Sequence, residues 1–180
     1  MAYHSVTNLS AIAAQDVNAY NCDFVSASSL DNGNICQLLT SASSTAGLVE
    51  VFTATAPSSA SPTGIYMVDT PVLPFVVTGA GDKINGIGTA RDFYTIAGEV
   101  GAARRLQLGD IVVFSAENLD SSTVAAYAIA DDSGNFKLKW SAVTVSGFYL
   151  QYIATTYISV PDGTIGTGRV TAYKFKVAHI

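Results

Sequence analysis

The sequence predicts an all-β protein: a barrel or sandwich of short antiparallel strands with an extended N-terminal arm. Three observations carry that expectation. Nine Tyr and eight Phe, with abundant Thr and Val, suit the pleated, half-buried surface of a strand. Three Glu, five Lys and two Met supply too few straight-chain residues for many amphipathic helices. The apolar runs are short and are broken by Gly, Asn, Asp and Pro. At 49% hydrophobic and 13% charged, against about 25% charged in an average globular chain, the composition is that of a folded polypeptide. A chain of 180 residues can bury about 70% of the surface it exposes when unfolded, so no metal or disulfide staple is required.

The elements follow in order. Residues 1–23 read as a docking arm that gains order by lying on a partner. Val6, Leu9, Ile12 and Val17 are its contact residues, too sparse to hold a core alone. Within it, Ser5–Leu9 is a short strand and Ala11–Gln15 a weak helical turn capped by Ser10. The alternative is that this stretch is simply the first strand of the domain. Residues 24–180 form a single β-rich domain. Its strands are Ile35–Leu39 after the turn Asp31-Asn32-Gly33, Leu48–Thr53 after a Ser/Thr loop, and Ile65–Val68 with Phe75–Val77. The last two flank Pro71 and Pro74, which predicts a sheet edge. Ile111–Ser115 is apolar on both faces and predicts a central strand. Phe136–Trp140 and Tyr173–Val177 alternate strictly, with aromatics inward and lysines in water. Phe148–Ile158 is the longest apolar, aromatic run and predicts the longest strand.

Composition and spacing also limit the chemistry. A net charge of −5 disfavours a nucleic-acid surface, which needs a basic stripe, and a polybasic membrane anchor. No segment reaches the roughly 18 consecutive apolar residues of a membrane span. The N-terminus lacks the basic head and apolar stretch of a secretory signal, so cytoplasmic synthesis is expected. Cys22 and Cys36 are then expected as free thiols. His4 and His179 stand at the chain ends, where order is weakest, which leaves a Ser-His-Asp or Cys-His site without a rigid base. No cofactor or metal is expected: Asp131, Ser133 and Asn135 imitate a calcium loop, but Phe136 stands where that loop needs Gly and Ala142 where it needs Glu. Paired acids (Glu50, Glu99, Glu117, Asp110) are the sole enzymatic alternative. The tract Gly79–Gly88 matches no phosphate-binding pattern. Arg104-Arg105 is the one adjacent basic pair, too little for a nucleic-acid groove, and suits acidic groups on a neighbouring chain or water. Tyr149, Tyr152 and Tyr157 are candidate interface residues, since tyrosine offers large contact area at little entropy cost; otherwise they sit half-buried with their hydroxyls in water.

Three stretches together resemble tailed-bacteriophage head decoration (capsid cement) proteins: the opening Val6–Val17, the middle tract Arg91–Val100 continuing through Arg104 and Leu106-Gln107-Leu108-Gly109-Asp110 into Ile111-Val112, and the alternating strand at 171–177. The resemblance implies a non-enzymatic virion protein on the capsid exterior, with the major capsid protein as partner and self-association as a further contact. The rival expectation is a phage tail, fibre or surface carbohydrate-binding module.

Overall fold

A computed structural model describes residues 4–42, 51–59, 62–72, 90–161 and 167–180. It is all-β. Among the described residues, eleven strands form two sheets, and helix is confined to four 3-10 turns of three residues each. The strands are β1 (Thr7–Ala11), β2 (Asn21–Ser26), β3 (Ile35–Ala42), β4 (Val51–Thr55), β5 (Ile65–Val68), β6 (Val100–Arg105), β7 (Ile111–Ser115), β8 (Tyr127–Ala130), β9 (Leu138–Ser141), β10 (Tyr149–Pro161) and β11 (Thr167–His179). Strands β2-β4-β3-β5-β6 close into a barrel, while β1-β7-β11-β10-β8-β9 form an open six-stranded sheet. All pairs are antiparallel except β2 with β4, which run parallel.

The alternation of side chains explains how the two sheets share a core. In β5, Tyr66 and Val68 point toward the barrel interior, where Val68 packs with Phe24, Leu30, Cys36, Ala54 and Ala103. Ile65 and Met67 point the other way, into a larger cluster with Phe114, Phe148, Leu150 and Phe175 of the six-stranded sheet. Each barrel strand on that side thus feeds two cores at once. Closure leaves β5 between β3 and β6, so the edge position expected for Ile65–Val68 is corrected: Pro71 follows the last paired residue and blocks no ladder bond, while Pro74 and Phe75–Val77 lie outside the described residues. Phe24 fills the barrel because its neighbour across the sheet is Gly101, where an added Cβ would lie 2.6 Å from the Phe24 ring.

The expectation of a docking arm is corrected as well. β1 is the edge strand of the six-stranded sheet, with Thr7 opposite Phe114 and Asn8 opposite Val113. Ile12 and Ala14 belong to the shared core, and Val6 packs with Val160 and Val170. The boundary at residue 23 falls inside β2, a barrel strand. The physical reason is that β7 is apolar on both faces and needs a neighbour on its free side; the sparse apolar positions of residues 6–14 complete a core they could not form alone. His4 is likewise ordered, its ring bonded to Asp31 at 2.6 Å and stacked on Tyr94.

Candidate functional site

Of the four arm residues expected to touch a partner, Val6 and Ile12 are only 5% and 4% exposed, and Leu9 is half-buried against the shared core. Val17 alone is exposed. The first three are packing residues of this chain, which corrects their assignment as docking contacts.

The tyrosines divide in the same way. Tyr149 stacks on His179 with rings 5.7 Å apart and meets Tyr127 edge-on. Tyr152 packs against Trp140, Tyr173 and Phe175, and its hydroxyl bonds Thr155 Oγ1 at 2.8 Å. Both are half-buried in their own sheet, which leaves less of each ring for a partner. Tyr157 differs: it is 60% exposed.

Tyr157 owes that exposure to the length of its hairpin. β10 and β11 pair along their whole thirteen-residue lengths. β8 accompanies β10 only over Tyr149–Gln151, with one more bond from Tyr152 N–H to the Ala126 carbonyl. β7 accompanies β11 only over Ala172–Lys176. The distal hairpin therefore runs past its neighbours as a two-stranded ribbon. Among the described residues, no strand pairs with β10 beyond Tyr152 on its outer edge. One ribbon face is anchored, with Ile158, Val160 and Val170 on Val6 and Ala90. β10 itself carries no charged residue, and Ile153 stands 47% exposed beside the free edge. An uncharged edge with unpaired N–H and C=O groups is what folded proteins normally blunt with Lys or Pro. Here a bulge at Ile153 and the terminal Pro161 are the blunting features.

The residues weighed for chemistry have other work. Asp110 is buried and accepts bonds from the Ala13 and Gln107 amides at 2.9 and 2.8 Å, clamping the segment after β1 to the turn before β7. Glu117 pairs with Arg91 at 2.5 Å. Glu99 is exposed; Glu50 and the Gly79–Gly88 tract lie outside the described residues. Asp131 accepts from the Ser133 amide at 3.0 Å and from the Asn135 side chain, so the calcium-like sequence closes a hairpin turn on itself. Among the described residues, no three His, Cys, Asp or Glu side chains gather in a metal-binding group. Both cysteines are free. Burial pushes the Cys36 thiol up to about 12, and burial also raises Cys22, against a lowering bond to Tyr66. Neither has the lowered pKa of a nucleophilic thiol.

A second surface feature is missing from the sequence reading. A groove of about 610 Å³ opens on the barrel, lined by Asn18, Asn21, Asp23, Phe52, Asp69 and Arg104 among others. β2 and β6 set Asn21 directly opposite Arg104. Arg104 Nε donates to Asp69, and its Nη1 donates to Asn21 Oδ1 at 3.4 Å. This corrects the reading of Arg104 as a contact to a neighbouring chain, because its acid partner lies within its own barrel. Arg105 points to the exposed side. No sequence signal pointed to the groove: its residues come from the 3-10 turn Asn18–Tyr20, β2, β4, β6 and the loop after β5, and only the barrel's closure joins them. Comparison with protein-family models, with curated proteins and with solved structures finds no match.

Proposed function

We propose that this chain is a non-enzymatic structural protein of a virion, binding the exterior of an assembled phage capsid as a decoration or cement protein. The observation that carries the reading is the distal β10–β11 ribbon. It offers a long free strand edge, no charge along β10, and two exposed apolar side chains, Ile153 and Tyr157. A strand of the major capsid protein laid along that edge gains main-chain hydrogen bonds, and Tyr157 and Ile153 add contact area and register. The resemblance of the opening, middle and closing stretches to head decoration proteins supports the same reading. So does the use of Asp110, Glu117 and Asp131 in structural bonds.

In this proposal docking belongs to the ribbon. The N-terminal segment serves the fold, so attachment need not overcome the ordering cost of a free arm, about 1–2 kcal/mol per residue. Shell stabilisation then comes from many copies of a modest contact. The test is to image shells of the encoding phage assembled with and without this protein. Extra density on the outer surface in the first sample alone is expected; identical particles would overturn the proposal.

A further inference from the structure

The barrel groove is unrelated to the ribbon, which belongs to the other sheet, and its lining has the chemistry of a ligand site. We infer that it binds a neutral, hydroxyl-rich ligand: a mono- or disaccharide. Its volume of about 610 Å³ falls within the roughly 300–1,000 Å³ of small-molecule sites.

The donors and acceptors are arranged for such a ligand. Asp69 holds Arg104, and Asn21 fixes the far side of the guanidinium while donating to the Ala14 carbonyl at 2.9 Å. This array is set before any ligand arrives, so little side-chain entropy is lost on binding. What remains unspent is what vicinal hydroxyls require. The Asp23 carboxylate and the Asn18 side-chain amide have no hydrogen-bond partner among the described residues, and both line the groove. Arg104 Nη2 likewise has no acceptor among the described residues, and Asp69 keeps its second oxygen. Phe52 and Pro71 supply apolar surface in the same groove, suited to the C–H face of a sugar ring.

Charge selects against the alternatives. Two carboxylates against one guanidinium leave the lining one unit negative, and Arg104 is already paired, so a phosphate or other anion meets net repulsion. A divalent cation would find two carboxylates with a guanidinium bonded to one of them, fewer ligands than it needs. A purely apolar molecule would leave Asp23 desolvated and unpaired. A polyhydroxylated neutral ring satisfies both the polar and the apolar lining.

The test is a titration of the isotope-labelled full chain, followed by amide NMR. The probes are N-acetylglucosamine, galactose, mannose, lactose and cellobiose, with glucuronate as the anionic counterpart. At least one neutral sugar is expected to shift the amides of Asn21, Asp23 and Arg104 with a dissociation constant in the millimolar range. Asp23 is exposed, so Asp23→Ala leaves the fold intact, and its affinity should fall about tenfold for loss of a charged hydrogen bond. Glucuronate should bind more weakly than the neutral sugars. No shift in these amides at about 50 mM of any neutral sugar, undiminished affinity in Asp23→Ala, or tighter binding of glucuronate would each overturn the inference.

Discussion

Gly33 sits where barrel and sheet meet, and its backbone explains why no other residue serves there. Its φ is +91°, in the region that favours glycine, and an added Cβ would lie 2.5 Å from Thr7 Cγ2 and 3.0 Å from the Phe114 ring. Its carbonyl accepts from the buried Asn118 amide, whose own oxygen accepts from Asn34 Nδ2 at 2.9 Å. The turn thus holds β1, β7 and the start of β3 together through one backbone position. Gly33→Ala should cost at least the 1–3 kcal/mol typical of a forced backbone conformation, more once the clash with Thr7 is added. Urea unfolding of the variant checks this, and unchanged stability would contradict the account of the junction.

At the scale of elements, the N-terminal segment and the β8–β9 hairpin make opposite points. Ile12 is buried in the shared core, so Ile12→Ala should destabilise by about 2–5 kcal/mol. An arm that ordered only on a partner would show no change in the melting temperature of the isolated chain. In the hairpin, Asp131 is partly desolvated, which works against its charged form. The bonds from Ser133 and Asn135 outweigh that and hold its carboxyl below the ordinary 3.8. A depressed folded-state value means that the turn contributes stability above the unfolded pKa and loses it as pH falls through the lower folded one. The Ser133 amide resonance should therefore titrate below pH 3.8; a midpoint above that would contradict the bond.

These elements also mark what the sequence could disclose. β5, β7 and β11 were legible because alternation or unbroken apolarity requires burial, and the Asp31-Asn32-Gly33 turn because glycine is placed where φ is positive. β2, β6 and β8 were not. β6 reads Val-Gly-Ala-Ala-Arg-Arg, with small residues that look like loop but are demanded by the Phe24 ring inside the barrel. β8 is Tyr-Ala-Ile-Ala, too short and alanine-rich to signal a strand locally. The parallel β2–β4 pair and the groove beside it depend on closure, which local pattern does not encode. Tyr157 was legible as a candidate, yet what separates it from Tyr149 and Tyr152 is where β8 stops, a long-range fact.

For the whole molecule, the barrel and the six-stranded sheet share one apolar cluster, in which Ile35, Ile65, Met67 and Leu106 meet Phe114, Leu150 and Phe175. They form one packed body from which, among the described residues, the distal β10–β11 ribbon projects. Packing thus accounts for Val6, Leu9 and Ile12, while Tyr157 and Ile153 stand exposed on the ribbon, the surface to which the proposal assigns adhesion. The most direct measurement is co-sedimentation of the full chain with assembled shells, comparing the native protein with Ile153→Lys/Tyr157→Glu. Both side chains are exposed, so the double variant should keep the native melting temperature. The account predicts that it stays in the supernatant while the native protein pellets with the shells. Equal pelleting of the two proteins would contradict it.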